Sequence, residues 1–216
     1  MMRFLALLLG LTMAIGSAQA APDRPVLVEL FAKQNCPAGP KAHRTMKQIE
    51  AERDDVFILT WTVNYWDYLG EPDPMALPVA KDRQMAYTDR LSLRAPYTPQ
   101  SFYDGAKECP GTRKRDIKRN INKRLENRID DAPALVHEGD SVWVTGASAE
   151  TLEVKLVEYL SGDANDTTMV NPVTSVESLG LWMGDDEGFE IACQTTCAVL
   201  LQEQDTGEVI AVHPLN

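Results

Sequence analysis

The residue of this sequence best placed to do chemistry is Cys36, within Asn35-Cys36-Pro37-Ala38-Gly39-Pro40. It follows a predicted buried strand at residues 26–31 and precedes a predicted helix that Pro40 opens. The N-terminus of a helix stabilises negative charge, so a thiol near it is more readily held as the nucleophilic thiolate. The position of Cys36 therefore predicts thiol or disulfide chemistry at the end of the first strand.

The chain has four cysteines, at positions 36, 109, 193 and 197. Residues 1–20 combine one charge, Arg3, with an apolar run and a final Ala18-Gln19-Ala20, a pattern typical of a secretory signal peptide. The apolar run is shorter than the roughly 20 residues that span a bilayer, so we expect cleavage after Ala20 and no membrane span. The exported protein, in the periplasm or secreted, meets an oxidising compartment in which disulfides form. Four cysteines allow three full pairings, and the residues alone leave the choice open.

Two residues that follow Cys36 bear on metal binding. His43 lies on the same predicted helix, Met46 follows it, and soft sulfur and imidazole ligands suit copper or zinc. No complete ligand set is visible, so we interpret His43 as a solvated side chain beside a core methionine and keep a metal carrier as the weaker alternative. The sequence has no G-x-S-x-G, H-E-x-x-H, P-loop or dinucleotide motif, and we expect no cofactor and no bound metal.

Alternating strand and helix signals position these residues in the first half of the chain. Buried strands are predicted at residues 26–31 and 56–63, and helices from Pro40, at 79–91 and at 112–128. Asp104-Gly105 is a strong hairpin turn between short strands, because glycine tolerates the positive φ of a type I′ turn. After Pro133 the pattern changes to short strands separated by turns, which favours a small antiparallel β-sandwich. These strands are predicted at 134–137, 141–145, 152–160, 189–192, 198–202 and 208–212.

The charge of the chain divides near the same place. With 21 basic and 32 acidic side chains the net charge is −11, which disfavours nucleic-acid binding because phosphate contacts need clustered Lys and Arg. Residues 21–128 hold 19 basic and 15 acidic side chains, whereas residues 129–216 hold one basic residue, Lys155, and 17 acidic ones. We therefore predict a signal peptide at 1–20, a first domain at 21–131 and an acidic β-rich domain at 132–216.

Several short strings resemble an exported thioredoxin-like family that is catalogued only as a domain of unknown function. They are Val28-Glu29-Leu30-Phe31, the cysteine turn, Asn64-Tyr65-Trp66-Asp67-Tyr68-Leu69-Gly70, and Tyr97-Thr98-Pro99-Gln100 with Asp104-Gly105. The resemblance implies an α/β fold class, with a thioredoxin-like N-terminal domain followed by a small antiparallel β-sandwich-like C-terminal domain. It also implies a cis-proline at Thr98-Pro99 that faces the cysteine turn. Tyr65, Trp66 and Tyr68 would lie nearby, either in a groove for a peptide or as a cover for the sheet or the domain interface.

The sequence departs from this family at a position that matters for redox chemistry. The family usually carries C-x-x-C at this turn, and Gly39 stands where the second cysteine is expected. Dithiol exchange needs that second thiol to release a mixed disulfide. The resemblance places Cys109 beside the turn and so implies a Cys36–Cys109 disulfide, which leaves Cys193 and Cys197 to form a Cys193–Cys197 disulfide.

These observations lead to two hypotheses about function. The favoured one is a non-catalytic or weakly redox-active module that binds a periplasmic protein or peptide and keeps Cys36–Cys109 as a disulfide. The alternative is a thiol-disulfide oxidoreductase in which Cys36 attacks, Cys109 resolves and Pro99 aligns the substrate. Whether the protein is an enzyme is left open. The binding residues in either case are expected to be Tyr65, Trp66, Tyr68, Thr98 and Pro99.

Overall fold

A computed structural model describes residues 24–34 and 36–215, and the predicted signal peptide at 1–20 lies outside the described residues. Over the described part the chain forms three α-helices and eleven β-strands in three sheets. The helices are α1 (Gly39–Glu52), α2 (Pro78–Arg90) and α3 (Lys114–Glu126), and none of them is long and apolar enough to cross a membrane. The strands are β1 (Val26–Ala32), β2 (Val56–Thr62), β3 (Gln100–Tyr103), β4 (Lys107–Pro110), β5 (Ala134–Glu138), β6 (Ser141–Thr145), β7 (Leu152–Tyr159), β8 (Val173–Trp182), β9 (Glu187–Glu190), β10 (Thr196–Glu203) and β11 (Val209–Leu215).

The first sheet has the strand order β2-β1-β3-β4. Strands β1 and β2 run parallel, with Ala32 opposite Thr62, and the crossover between them contains α1. Strand β3 pairs antiparallel with both β1 and β4. Asp104, Gly105 and Ala106 join β3 to β4, and Asp104 and Gly105 have the positive φ values, 47° and 66°, that the predicted type I′ turn requires. Helices α1 and α3 cover one face of this sheet.

Residues 134–215 form two antiparallel sheets and contain no α-helix. The four-stranded sheet has the order β11-β10-β7-β8, and the three-stranded sheet has the order β5-β6-β9. Strand β10 is buried on both faces, since Ala198 and Leu200 pack toward the first sheet while Val199 and Leu201 pack toward the three-stranded sheet. The four-stranded sheet is therefore a central layer between the other two sheets.

The core between the first sheet and the four-stranded sheet is continuous. It combines Phe31 and Trp61 of the first sheet with Tyr159 of β7 and Leu200 of β10. The rings of Phe57 and Tyr159 meet edge to face, with their centroids 5.5 Å apart. The second face of the first sheet is thus covered by α2 and by strands from the second half of the chain.

The predicted fold class is wrong. The chain is mostly β, and it does not form the expected α/β fold with a thioredoxin-like N-terminal domain and a small β-sandwich-like C-terminal domain. The three helices are confined to the first half, whereas the second half contributes seven strands, among them β8, which the sequence did not predict. A strand such as β10 that is apolar on both faces indicates burial without showing which sheet covers it. The proposed division at residues 131 and 132 falls in the connection between α3 and β5, and it stays a prediction.

A buried polar network joins β1, α2 and β10. Arg83 donates from Nε and Nη2 to the two carboxylate oxygens of Glu29, at 2.6 and 3.2 Å. It also donates to Gln202 Oε1 at 2.8 Å and to Tyr87 Oη at 2.7 Å. Tyr87 in turn donates to Glu29 at 2.7 Å. The whole network is buried, and its charges are tolerated there because each is paired and hydrogen-bonded.

Candidate functional site

Cys36 lies in a tight turn between the end of β1 and the start of α1. Its N–H donates to the Lys33 carbonyl at 3.1 Å, and its own carbonyl accepts from Gly39 N at 2.8 Å. Helix α1 begins at Gly39 with Pro40 in its first turn, where the N–H that proline lacks has no helical partner to lose. The Cys36 side chain is half-buried and lies just before the helix.

The sulfur of Cys36 faces the segment that leads into β3. The Thr98-Pro99 peptide bond is cis, and Cys36 Sγ lies 3.9 Å from both the carbonyl oxygen and Oγ1 of Thr98. The Pro99 carbonyl accepts a hydrogen bond from Gly111 N at 3.0 Å, which ties this segment to the residue after β4. The structure thus brings Cys36, Thr98 and Pro99 together at one end of the first sheet.

A cleft of about 500 Å³ opens beside Cys36. Its wall is mostly apolar, and the exposed side chains of Leu69 and Tyr68 stand at this edge of the molecule, 68% and 76% exposed. The cleft therefore places one thiol within an apolar concavity of the kind that binds ligands. The lining residues are Lys33, Cys36, Pro37, Trp66, Leu69, Gly70, Glu71 and Thr98.

The three aromatic residues singled out from the sequence have different positions. Trp66 lines the cleft, whereas Tyr65 donates from Oη to Gln84 Oε1 at 3.0 Å and Tyr68 projects into solvent. The ring centroids of Tyr65 and Trp66 are 5.4 Å apart, and those of Trp66 and Tyr68 are 6.2 Å apart. Burial raises the pKa of Tyr65 to about 12, so its hydroxyl stays neutral at physiological pH. Trp66 is the one of the three that faces the space beside Cys36.

Sequence reasoning missed the residues that hold the wall of the cleft in place. Lys33 Nζ donates to Asp67 Oδ1 at 2.7 Å and to the Glu71 carbonyl at 3.3 Å. Asp73 accepts a hydrogen bond from Gln34 N at 2.6 Å. The hydrogen bond from Lys33 lowers the pKa of Asp67 below its ordinary value, so the carboxylate stays ionised at neutral pH. The signal in the sequence was a lysine directly after a buried strand and three acidic residues in the loop that follows the next strand.

The expected Cys36–Cys109 disulfide is not formed, and in the described part of the chain both residues are free thiols. Cys109 Sγ lies 3.2 Å from Tyr103 Oη and 3.7 Å from Ser101 Oγ, within the core beneath α1 and α3. Burial raises the pKa of the Cys109 thiol above its ordinary value. The correction has a physical reason, since Cys109 points into the helix-covered core while the Cys36 sulfur faces Thr98.

The predicted Cys193–Cys197 disulfide is confirmed, with the two Cα atoms 6.0 Å apart. It links an exposed residue before β10 to a buried residue within that strand. Thr196, beside it, pairs with Tyr159, and the ring of Tyr159 contacts Phe57 at the start of β2. Because the cleft lies beyond the other end of β1 and β2, this disulfide is remote from it.

His43 is buried, which corrects the expectation of a solvated side chain. It is 4% exposed, and within the described residues neither ring nitrogen has a hydrogen-bond partner. Burial, together with the nearby charge of Lys47, lowers the pKa of His43 below its ordinary value. The inward packing of Ala42, Met46 and Ile49 on α1 carries the adjacent imidazole into the protein. Over residues 24–34 and 36–215, no three His, Cys, Asp or Glu side chains converge to hold a metal ion.

Solved structures similar to this chain extend over most of its length. A protein of Agrobacterium tumefaciens, known from an X-ray crystal structure, shares 25% identity and a TM-score of 0.75, over 92% of this chain and 96% of that one. HBP35 of Porphyromonas gingivalis shares 14% identity and a TM-score of 0.54, over 89% of this chain and 74% of that one, and shows a likeness of fold alone. No curated protein matches, whereas the family model described as "Protein of unknown function (DUF1223)" matches residues 27–212. The chain therefore belongs to the DUF1223 family of proteins of unknown function.

Proposed function

We propose that this protein captures cysteine-containing peptide segments in the cleft beside Cys36, as a binding module with one reactive thiol. The observation that carries the proposal is the free, half-buried thiol of Cys36 beside an apolar cleft, facing Thr98 and the cis-proline Pro99. The protein acts after export, in the periplasm or outside the cell, where peptides and proteins carry disulfides.

An extended peptide has a backbone edge with which to pair in this cleft. Within residues 24–34 and 36–215, neither the N–H nor the carbonyl of Thr98 is bonded to another backbone group. A peptide strand aligned with Thr98 would gain main-chain hydrogen bonds, while pockets beside it select side chains. Trp66 and Leu69 provide the apolar contact for a side chain next to the peptide's cysteine.

The capture step is a thiol-disulfide exchange. The Cys36 thiolate attacks one sulfur of a disulfide in the incoming partner, a Cys36–partner disulfide forms, and the partner's other sulfur leaves as a thiolate that takes up a proton. One disulfide breaks as another forms, so the step needs no separate oxidant. Release needs a second thiol, and the cysteine turn has none.

We also propose that residues 36–39 correspond to the C-x-x-C turn of thioredoxin-like proteins, with Gly39 at the position of the second cysteine. A β-carbon built on Gly39 would lie 3.6 Å from Cys36 Cβ. Disulfides have Cβ separations of about 3.5–4.5 Å, so this position suits a second cysteine. Its absence favours stable capture over repeated turnover.

The alternative function, an oxidoreductase with Cys109 as the resolving thiol, needs Cys109 to reach the mixed disulfide. Two observations weigh against it. The Cys109 thiol is buried and contacts Tyr103 Oη, and burial raises its pKa, which disfavours the thiolate that would attack. Capture by Cys36 alone is therefore the better-supported proposal.

Reaction with 5,5′-dithiobis(2-nitrobenzoate) tests which thiol reacts. We expect the wild-type protein to release a single equivalent of thionitrobenzoate in a fast phase, because Cys36 is accessible and Cys109 is buried. Cys36→Ser should lack this phase, whereas Cys109→Ser is the matched control and should retain it. Intact mass should show a lasting adduct. Loss of the fast phase in Cys109→Ser, or spontaneous conversion of the adduct into a Cys36–Cys109 disulfide, would favour the oxidoreductase.

The contribution of the cleft is measured with a short peptide that carries one cysteine as a thionitrobenzoate mixed disulfide. Leu69→Ala is expected to slow its reaction with Cys36 by about fivefold, because part of a buried leucine contact is lost. The mixed disulfide of glutathione with thionitrobenzoate is too small to need the Leu69 contact. It should react at the same rate with the wild-type protein and with Leu69→Ala. Stopped-flow absorbance gives both rate constants. Equal slowing of the two reactions, or no slowing of either, would count against peptide binding in the cleft.

A further inference from the structure

Gly39 leaves a small space that Cys36 and His43 border from two sides. A β-carbon built on Gly39 would meet the Lys33 carbonyl oxygen at 3.4 Å, Cys36 Cβ at 3.6 Å and His43 Nε2 at 3.8 Å. Gly39 is buried, so the space is shielded from bulk water. A side chain or a sulfur that entered this space would contact the imidazole nitrogen directly.

His43 is the polar group beside this space that has no partner. Its ring is buried, and within the described residues both of its nitrogens lack a hydrogen bond. A buried polar atom without a partner is costly, and such an atom in a folded protein calls for an explanation. A role toward the neighbouring thiol explains why an imidazole is held there.

We propose that His43 is the acid-base partner of Cys36 and acts across the space left by Gly39. Cys36 Cβ borders the space, so the sulfur, which lies beside Thr98, would enter it by rotation about the Cα–Cβ bond and approach His43 Nε2. The S–H proton passes to Nε2, the electron pair of the S–H bond stays on sulfur, and the thiolate attacks the partner's disulfide. The imidazolium then gives its proton to the thiolate that leaves. The inference rests on the proposed function, because it concerns the proton transfer of the same capture step.

The imidazole of His43 is in the neutral form that can accept a proton. Burial lowers the pKa of His43, and the positive charge of Lys47, one turn further along α1, lowers it as well. The imidazole is therefore neutral at pH 7, and one of its nitrogens carries a free lone pair. The side-chain atoms nearest to a β-carbon built on Gly39 are Cys36 Cβ and His43 Nε2, so the thiol and the imidazole are the titratable groups that border the space.

Alkylation of Cys36 by iodoacetamide tests this pair, since the reaction requires the thiolate but neither a peptide nor a disulfide. In a Cys109→Ser background we expect His43→Gln to lower the rate constant at pH 7 by about tenfold, because the amide cannot accept the proton. At pH 10 hydroxide removes the proton without help, and the two rate constants should converge. His137→Gln is the matched control, because His137 lies on β5, and it should match the parent at every pH.

A second variant keeps the test decisive if His43→Gln folds poorly. Gly39→Ala fills the space with a methyl group that makes only ordinary contacts, and it should slow alkylation at pH 7 as His43→Gln does. The double variant should be no slower than either single variant. Unchanged rates at pH 7, or a deficit that persists at pH 10, would overturn the inference. Failed peptide capture with a normal alkylation profile would overturn the proposed function alone.

Discussion

Arg83→Met is expected to lower the free energy of unfolding by about 3–5 kcal/mol, because it leaves the carboxylate of Glu29 buried without a counter-charge. Glu29 has no exposed surface, and Arg83 is its ion-pair partner at 2.6 Å. The substitution also removes the guanidinium that lies 5.1 Å from the ring centroid of Trp61. Urea unfolding followed by tryptophan fluorescence gives the difference in free energy.

Two companion variants show whether the loss comes from the unpaired charge. Replacing both partners, as in Glu29→Met with Arg83→Met, should recover much of the stability, since a buried ion pair can be exchanged for apolar side chains. Lys118→Met removes one partner of an exposed pair with Glu52 and should leave the unfolding midpoint nearly unchanged. A single Arg83→Met variant as stable as the Lys118→Met control would show that Glu29 is not held by this pair.

Gly39→Cys is expected to turn the proposed capture protein into a dithiol oxidoreductase. The new β-carbon would lie 3.6 Å from Cys36 Cβ and 3.4 Å from the Lys33 carbonyl oxygen, which are ordinary contacts, and the Cβ separation suits a disulfide with Cys36. The introduced thiolate attacks the Cys36–partner disulfide, releases the partner as a thiol and leaves a disulfide between Cys36 and the introduced cysteine, which dithiothreitol reduces. We expect the reduction of insulin by dithiothreitol to be roughly tenfold faster or more than with the wild-type protein.

The matched control for this gain of activity is Gly39→Ser, which adds a side chain of similar shape without a thiol. It should reduce insulin no faster than the wild-type protein does. Adding Cys109→Ser to Gly39→Cys should preserve the new activity, because Cys109 takes no part in the cycle. Activity in Gly39→Ser, or its disappearance when Cys109 is replaced, would contradict the assignment of position 39 as the site of the missing thiol.

The fold could be predicted from the sequence where the signal was local. Asp104-Gly105 forms the expected hairpin turn, because a type I′ turn demands positive φ from those two residues alone. Strand β8 was not predicted because its apolar residues are interspersed with Ser, Glu and Gly, and because it lies at the edge of its sheet, where among the described strands it pairs only with β7. The prediction of the fold class was wrong for a related reason. Which sheet covers β10 depends on contacts between distant segments, and no local pattern reports them.

In the candidate site, too, local features could be predicted and long-range contacts could not. Cys36 and Thr98-Pro99 could be named in advance because each has a recognisable short string. The ion pair between Lys33 and Asp67 could not, because the loop that brings these residues together has no regular pattern. The burial of His43 was missed because the spacing of apolar residues locates the inner stripe of α1 but not its width. The prediction of a Cys36–Cys109 disulfide was wrong because it depended on the direction in which the Cys109 side chain points from β4.

The layered core determines whether the segment that carries Cys36 could fold as a separate fragment. The sheet that carries Cys36 has only one face covered by α1 and α3, and the other face relies largely on β7, β10 and β11. A fragment that ended at residue 131 would expose Phe31 and Trp61 to water and leave Arg83 without Gln202. The part of the chain that carries the cysteine turn is therefore not expected to fold without the second half. Strands of the second half complete the core beneath the sheet from which that turn extends.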